Sequence, residues 1–271
     1  MGTKRFFASL LVCFFLGIHG KPSLSFNLPN FAALAGFGQT AREQRDSALK
    51  QYSGKRVTND SLRMVYFYDQ TVAVAELGPR KLLLNCELLE VYEPEEALMA
   101  LGQLSKFSRP VAISFPEMMT LMSQCQQVDS FNSQDRVPSV APPNMARGLL
   151  SNNPLTLLSG IIPGTKWCGT GDIAKDYHDL GAESKVDRCC RTHDLCPVKV
   201  RAYTKRYNLT NNSLYTKSHC KCDDELYKCL KRSDSPTAHI MGNVYFNLIQ
   251  VPCLEESKDG PKRFRAARNN F

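Results

Sequence analysis

The chain has 271 residues, of which 43% are hydrophobic and 22% are charged, and its formal net charge is +8. This balance is typical of a globular protein and excludes an intrinsically disordered or fibrous chain. The positive charge is modest for this length, so it is compatible with contact to an anionic surface or with solubility alone. No basic stretch is interleaved with aromatic residues, and we therefore expect no nucleic-acid partner.

Residues 1–20 have the layout of a secretory signal peptide. Lys4 and Arg5 precede an apolar run from Phe6 to Ile18, which small and polar residues follow. That run is too short to cross a bilayer as a helix, and no later stretch reaches about 18 uninterrupted apolar residues. We therefore expect a soluble, secreted, extracellular protein.

The cysteine content agrees with secretion. The sequence has eleven cysteines, and removal of Cys13 with the signal peptide leaves ten. An even number in an oxidising compartment indicates a disulfide framework, whereas metal binding by these thiols is disfavoured there. Asn59, Asn208 and Asn211 each begin a sequon that could carry a glycan.

Residues 21–129 are interpreted as an N-terminal pro-region or accessory region, folded between about 62 and 127. Runs rich in Val, Tyr, Phe and Leu predict three strands in hairpin order, and two helices are expected after them. The elements of this small α+β region are strands Leu62–Tyr68, Thr71–Leu77 and Lys81–Tyr92 and helices Pro94–Phe107 and Pro116–Gln127. Its only cysteines, Cys86 and Cys125, are predicted to pair.

Three further segments follow. A stretch rich in Pro, Asn and Ser at 130–160 predicts a linker. A compact, cysteine-dense domain is expected at 161–255. The tail at 256–271 has several Lys and Arg but few apolar residues, and it is predicted to be a mobile basic extension.

The densest group of reactive side chains is the octet Cys189–Cys196, which holds three cysteines, His193 and Asp194. Neighbouring residues on a helix point about 100° apart. One helical segment could therefore direct the imidazole at a substrate and the carboxylate at a metal ion. The alternative is a disulfide-rich structural module with an incidental histidine.

Cysteine spacing predicts that this octet belongs to a pair of helices. Cys189 and Cys196 are seven residues apart, as are Cys222 and Cys229, so each pair lies on one helix face. A capping sequence at 184–187 precedes the first helix, and the second is expected at about 223–231. Only about 25 residues separate the two cysteine pairs. Antiparallel helices with Cys189–Cys229 and Cys196–Cys222 disulfides are the most economical arrangement.

The same arrangement brings Asp223 near His193. A carboxylate there could accept a hydrogen bond from one imidazole nitrogen and leave the other nitrogen free as a base. Alternatively, Asp223 and Asp224 are simply acids that the helix dipole favours at an N-terminus.

The loop Trp167–Asp172 contains a Gly-x-Gly pattern, which usually marks only a turn. Glycines also let backbone carbonyls turn inward, and Ca²⁺ takes carbonyl and carboxylate oxygens. If Cys168 bonds to Cys190, the loop is held against the helix that carries Asp194. Loop carbonyls and that carboxylate would then form a Ca²⁺ site.

Four motifs together resemble the bee-venom type (group III) of secreted phospholipase A2, over about 161–253. They are Trp167-Cys-Gly-x-Gly, Cys189-Cys-Arg-Thr-His-Asp-Leu-Cys-Pro, Cys220-Lys-Cys-Asp-Asp and Tyr245-Phe-Asn. The resemblance implies a mainly α, disulfide-rich phospholipase A2 domain with two antiparallel, disulfide-linked helices and a calcium loop. It also implies Ca²⁺-dependent hydrolysis of the sn-2 ester of glycerophospholipids.

The resemblance assigns a role to each site residue. His193 would be the base, Asp223 would support it, and Tyr245 would brace Asp223. Ca²⁺ would be held by the carbonyls of Trp167, Gly169 and Gly171 and by the carboxylate of Asp194. The implied disulfides of this domain are Cys168–Cys190, Cys189–Cys229, Cys196–Cys222 and Cys220–Cys253.

The chain departs from the venom form in two ways, and two alternatives stay open. It lacks the further cysteine pair that follows the equivalent of Cys253, and the resemblance gives the N-terminal region no function. That region could be an inhibitory pro-segment removed near Arg147 or just before Ile161. The rival function is a catalytically silent binding protein or receptor ligand, although every catalytic position is filled.

A phospholipid membrane surface is the expected partner, bound peripherally by a monomer. The basic residues after the first helix are either a solvated face or a patch for anionic membranes: Lys199, Arg201, Lys205 and Arg206. The remaining histidines of the domain have polar neighbours and no matching acid, and they are expected at the surface: His178, His219 and His239.

Overall fold

A computed structural model describes residue 49 and residues 51–134, 160–257 and 260–271. All of these residues belong to one compact unit, Asp46–Phe271. The predicted signal peptide, position 147 and most of the predicted linker lie outside the described residues. In the described part of the chain, no helix combines the length and the apolar character needed to span a bilayer.

The N-terminal region is built on a small sheet. Its strands are β1 (Leu62–Tyr68), β2 (Thr71–Leu77), β3 (Leu83–Glu90) and β4 (Val111–Ala112). The first three are antiparallel neighbours, and the short β4 pairs parallel with β1 at the sheet edge. Strand β3 is two residues shorter at each end than the sequence predicts, and the other two hairpin strands have the predicted bounds.

Two helices complete this region. Helix α1 (Pro94–Leu104) begins with a reciprocal capping box between Glu93 and Glu96. Helix α2 (Phe115–Gln134) packs on the sheet, and the Cys86–Cys125 disulfide ties it to β3. Helix α2 continues beyond the predicted residue 127, so the first residues of the predicted linker are helical.

The cysteine-dense region is mixed helix and strand rather than mainly α. Its elements in chain order are α3 (Ser184–Asp194), β5 (Lys199–Val200), β6 (Lys205–Arg206), β7 (Leu209–Thr210), β8 (Lys217–Ser218), α4 (Cys220–Ser233), α5 (Pro236–Gly242), a π-helix (Asn243–Ile249), β9 (Cys253–Ser257) and β10 (Gly260–Arg265). Helix α4 begins three residues earlier than predicted, so Asp223 lies in its first turn.

Four disulfides hold this region together: Cys168–Cys190, Cys189–Cys229, Cys196–Cys222 and Cys220–Cys253. These are the pairs that the spacing and the resemblance imply. The Cys189–Cys229 disulfide joins α3 to α4. The Cys196–Cys222 disulfide joins the residues just after α3 to α4. Because the earlier cysteine of one segment bonds to the later cysteine of the other, the two segments run in opposite directions.

The prediction of a mobile tail is wrong for its described residues. Strands β9 and β10 form an antiparallel hairpin. Beyond it, the Phe271 ring stacks on Phe246 with a centroid distance of 5.8 Å, and it meets the edge of Tyr227 at 5.2 Å. Arg268 forms an ion pair with Asp224 at 2.8 Å. These aromatic and ionic contacts dock the tail on α4 and the π-helix.

The N-terminal region and the cysteine-dense region share a hydrophobic core. One buried cluster combines residues of β2, β3 and α2 with Tyr177 and Leu195 of the cysteine-dense region. A second cluster places Phe115, at the start of α2, against Val198 and Val200. Removing either region would therefore expose apolar surface on the other, which costs about 25 cal/mol per Å².

Two of the three histidines expected at the surface are buried or nearly so. His219 is 6% exposed and packs against the Phe115 ring, with the ring centroids 4.4 Å apart. His178 lies between Asp129 and Glu87, at 3.6 and 3.8 Å. The matching acids come from the N-terminal region, more than 40 residues away in sequence, so local neighbours could not reveal them. His239 is exposed, beside Asp234.

Much of the expected basic face also turns inward. Lys199 is 4% exposed, and its ammonium group pairs with Glu90 at 2.8 Å. Arg206 pairs with Asp69 at 3.0 Å.

Asn211 is fully buried, and its amide donates to three backbone carbonyls, so this sequon cannot accept a glycan in the folded protein.

Candidate active site

The centre of the candidate site is a buried histidine–carboxylate–tyrosine group. His193 Nε2 lies 2.8 Å from Asp223 Oδ1. The Tyr245 hydroxyl donates to the same oxygen at 3.2 Å and lies 3.3 Å from His193 Nε2. The side chains of His193 and Asp223 are only 10% and 5% exposed. Three residues predicted from separate motifs therefore meet at one point.

Each of the three side chains is positioned by a different helical element. His193 lies in the last turn of α3, Asp223 in the first turn of α4, and Tyr245 on the π-helix. The Cys189–Cys229 and Cys196–Cys222 disulfides link α4 to α3 and to the residues just after it, and they bring the first two side chains together. Asp224 points elsewhere and binds Arg268, so only one of the two adjacent acids reaches the histidine.

The carboxylates shift the protonation of this group. Burial acts to lower the pKa of His193, but the nearby Asp194 and Asp223 outweigh it and raise that pKa to about 9. Burial raises the pKa of Asp223 and raises that of Tyr245 well above its ordinary value. The tyrosine is therefore a neutral donor. Without a bound cation His193 is mostly protonated at neutral pH, and a cation beside Asp194 would lower the pKa of His193 and free its Nδ1 atom.

The loop that precedes α3 is held in place by Asp187. Its carboxylate, which is fully buried, accepts hydrogen bonds from the backbone N–H groups of Lys166, Trp167 and Gly181 at 2.7 to 2.9 Å. The sequence suggested that Asp187 belongs to a helix cap. Instead the N-cap residue, Glu183, makes no side-chain capping bond. Asp187 is a residue of the site that sequence reasoning missed.

At two positions of this loop the backbone requires glycine. At Gly169 a Cβ atom would collide with the backbone carbonyl of Gly160. Gly171 has a φ of 92°, which L-residues with side chains rarely adopt. The Cys168–Cys190 disulfide fixes the residue just before Gly169 to α3. The loop backbone can thus approach the helix that carries Asp194 without interference from side chains.

Asp194 has the properties of an unsatisfied cation ligand. Its Oδ2 atom is buried and has no hydrogen-bond partner in the described part of the chain. Burial, with a smaller contribution from the charge of Asp172, raises the pKa of Asp194 to about 6, although His193 and Lys199 act to lower it. A bound cation would satisfy the buried oxygen and stabilise the ionised form. Oxygen ligands of this kind suit a hard cation such as Ca²⁺.

The other ligands of such a cation would have to be backbone groups. Within the described residues, no group of three or more His, Cys, Asp or Glu side chains is arranged to hold a metal ion. The predicted ligands Trp167, Gly169 and Gly171 would contribute carbonyl oxygens. They lie in the glycine-containing loop that Asp187 and the Cys168–Cys190 disulfide hold next to α3.

The arrangement can perform general-base chemistry. Asp223 occupies one imidazole nitrogen of His193, so the other nitrogen, Nδ1, is available for a proton from water or substrate. Nδ1 lies 3.9 Å from Asp194 Oδ1, which is beyond hydrogen-bond distance. A base and a carboxylate suited to a cation thus lie side by side at the end of one helix.

Comparison with known proteins gives a consistent result. Residues 161–257 match the family model described as Phospholipase A2. A protein named Phospholipase A2 from Apis cerana cerana is 44% identical over 96 residues, which are 35% of this chain and 72% of the relative. A protein of the same name from Bombus terrestris is 42% identical over 95 residues, 35% of this chain and 70% of the relative.

A reptilian relative shows similar agreement. Phospholipase A2 isozymes PA3A/PA3B/PA5 from Heloderma suspectum are 42% identical over 95 residues, which are 35% of this chain and 66% of the relative. The family model leaves the N-terminal region unmatched. The site described above lies within the matched segment.

Proposed function

Because the chain belongs to the phospholipase A2 family, we propose that it hydrolyses the sn-2 ester of glycerophospholipids to a fatty acid and a lysophospholipid, with Ca²⁺ as cofactor. The observation that carries this proposal is the His193–Asp223 contact of 2.8 Å, with Tyr245 bound to the same carboxylate oxygen. A silent binding protein would have no need for a buried, braced base beside an unsatisfied carboxylate.

In the proposed reaction His193 acts as the general base. Its Nδ1 atom takes a proton from a water molecule, which attacks the ester carbonyl. When the bond between the acyl carbon and the sn-2 oxygen then breaks, the imidazolium returns that proton to the departing oxygen, and the fatty acid and the lysophospholipid are released. Asp223 accepts the hydrogen bond from Nε2, holds the ring in the required tautomer and stabilises the imidazolium that forms. The Tyr245 hydroxyl fixes the orientation of Asp223.

The cofactor would be held by the carbonyls of Trp167, Gly169 and Gly171 together with the carboxylate of Asp194. When bound, Ca²⁺ supplies Lewis-acid stabilisation of the negative charge on the substrate phosphate and on the ester oxygen. Asp187 would stabilise this site indirectly. Its carboxylate accepts hydrogen bonds from the backbone N–H groups of Lys166 and Trp167 and so keeps the loop against α3.

We further propose that the protein is secreted and binds phospholipid membranes peripherally as a monomer. Five disulfides, which persist in oxidising compartments, support secretion. An anionic-membrane patch is less well supported than the sequence suggested, since Lys199, Arg201 and Arg206 are paired with acids of the N-terminal region.

The test is release of fatty acid from vesicles of phosphatidylcholine, labelled either at sn-1 or at sn-2. We expect release of the sn-2 label by the full chain in the presence of Ca²⁺, and loss of that release when Ca²⁺ is chelated. Equal release of both labels, or release that chelation does not change, would contradict the proposed reaction. No release from these vesicles, or from vesicles that also contain an anionic phospholipid, would favour the silent binding protein.

A further inference from the structure

Helix α3 carries two buried arginines on the side that faces the N-terminal region. Arg191 is fully buried; its guanidinium donates to Asp129 Oδ2 at 2.8 Å and lies 3.8 Å above the Tyr177 ring. Arg188 donates to the same Asp129 oxygen at 2.8 Å. Asp129 belongs to α2, so one carboxylate of the N-terminal region binds two cations of the helix that ends at His193 and Asp194.

The C-terminal end of α3 is also held by the N-terminal region. The last carbonyls of a helix have no partner within the helix. Here the Thr71 hydroxyl donates to the carbonyl of Leu195 at 2.8 Å. The Lys199 ammonium donates to the carbonyl of Asp194, and Glu90 binds that ammonium at 2.8 Å. The residues next to the proposed base and metal ligand are thus capped from β2 and β3.

These contacts do not resemble those of an inhibitory segment. Hydrogen bonds and ion pairs from the N-terminal region reach residues around the site, among them Arg188, Arg191, Lys199, the Thr192 hydroxyl through Gln126 and the loop residue Asp172 through Gln51. In the described part of the chain, none reaches the side chain of His193, Asp194 or Asp223. The region contacts α3 through Arg188 and Arg191 and shares a hydrophobic core with Leu195, which follows the helix. Its Met119 and Gln126 line the same small pocket as His193.

We propose that the N-terminal region is a permanent positioning element of the catalytic helix, acting through Asp129 on Arg191 and through Thr71 and Glu90 at the helix end. This inference rests on the proposed function, because it concerns the placement of His193 for that reaction. Asp129, Thr71 and Glu90 would act through Arg191, the Leu195 carbonyl and Lys199 rather than directly on the reacting atoms, so they are positioning residues. Their loss should affect turnover more than substrate binding.

The experiment uses three variants of the full chain: Asp129→Asn, Glu90→Gln and Thr71→Val. Asp129→Asn removes the charge that pairs with Arg188 and Arg191, and Glu90→Gln removes the charge that pairs with Lys199 and Arg201. Thr71→Val removes the hydrogen bond to the Leu195 carbonyl. Glu95→Gln, an acid-to-amide change at an exposed position of α1, is the matched control. For each protein kcat and KM are measured on the same phosphatidylcholine vesicles, at a temperature well below its melting temperature. The proton NMR signal of the His193 Nε2–H that faces Asp223 is recorded as well.

We expect Asp129→Asn to lower kcat by about 10- to 100-fold, because a misplacement of about 1 Å can cost that much, with KM little changed. Glu90→Gln should lower kcat by about 10-fold and Thr71→Val by about 2- to 5-fold. The His193 signal should shift or broaden in the same order, and Glu95→Gln should match the parent in both measurements.

Parent values of kcat and an unshifted His193 signal in folded Asp129→Asn or Glu90→Gln would overturn the inference, even if the melting temperature fell. If Asp129→Asn fails to fold, Thr71→Val decides, since it replaces one hydroxyl by a methyl group of similar size. Absence of fatty-acid release by the parent protein would instead refute the proposed function, and the His193 signal would still test the positioning.

Discussion

The two faces of α3 carry charge networks of opposite character. On one face His193 meets Asp223 and Tyr245, and the carboxylates around the histidine raise its pKa to about 9 although burial acts to lower it. On the other face Asp129 binds Arg191 and Arg188. Burial acts to raise the pKa of Asp129, but His178 and the guanidinium of Arg191 hold it well below its usual value.

This difference indicates two roles for α3. We call the side with His193, Asp223 and Tyr245 the catalytic face, because we propose that it carries the reaction, and the side with Arg188, Arg191 and Asp129 the supporting face. The first network contains an imidazole that can take up and release a proton, as a general base requires, although without a cation at Asp194 its raised pKa keeps it mostly protonated at neutral pH. The second contains an acid and two guanidiniums whose charges do not change across that range, so it can hold the helix in one position. Substitutions on the two faces should therefore have different signatures in activity and in stability.

The largest effect is expected on the catalytic face. His193→Gln should lower kcat by at least about 10²- to 10⁴-fold, since general-base catalysis is worth that much, while the melting temperature changes little. Release of the sn-2 fatty acid measures the loss. His239→Gln, at an exposed histidine beside Asp234, is the matched control and should keep the parent rate. A fully active His193→Gln protein would remove His193 from the mechanism.

The supporting face should show its effect in stability. Asp129→Asn should lower the free energy of unfolding by about 3–5 kcal/mol at pH 7, because it leaves two buried guanidiniums without their counter-ion. A carboxylate with a lowered folded-state pKa stabilises the protein above its unfolded value of about 3.9 and loses that contribution as pH falls. The difference from the parent should therefore shrink below about pH 4.

Denaturant unfolding at a series of pH values measures this difference, with Glu95→Gln as the control. A gap between Asp129→Asn and the parent that stays constant from pH 7 to pH 3 would show that the charge of Asp129 contributes nothing to the stability.

A smaller effect concerns the proton on His193. In metal-free protein, Asp223→Asn should lower the pKa of His193 by about one unit or more, because a carboxylate that stabilises the imidazolium is lost. In the parent, the stabilisation linked to this raised pKa is present below the unfolded value of about 6.5 and lost as pH rises through about 9. NMR titration of the ring protons measures both proteins, and a pKa that stays at about 9 in the variant would contradict the assignment.

The smallest effect is expected at the docked tail. Phe271→Ala should lower the free energy of unfolding by about 1–2 kcal/mol, because it removes ring contacts with Phe246 and Tyr227. Phe131→Ala, at a ring that is 68% exposed, is the control and should change stability little. Equal stability of the two variants would mean that the tail is not docked in solution.

The contact between His193 and Asp223 could be predicted from the sequence because these residues lie in short motifs. His193 and Asp194 are adjacent, and a cysteine precedes Asp223 directly. Seven-residue cysteine spacing then indicates which helix faces meet, so Asp223 could be placed near His193 without coordinates. The short strands around β5–β8 were missed because two-residue strands leave no periodic pattern.

The contacts of Asp129 and Thr71 with the cysteine-dense region could not be predicted, because the partners are far apart in sequence. Asp129 and Arg191 are 62 residues apart, and Thr71 and Leu195 are 124 apart. Nothing near either residue in sequence indicates its partner. Asp187 was misread because an acid in the first turn of a helix has the same local pattern whether it caps the helix or binds a distant loop.

The most direct test of the account compares fatty-acid release by the full chain with release by a chain that begins at Ile161. The account predicts Ca²⁺-dependent release by the full chain and little or none by the short one, because Arg191, Tyr177 and Leu195 would lose Asp129, the shared core and the Thr71 cap. Equal or higher activity of the short chain would contradict it and would make the N-terminal region dispensable or inhibitory.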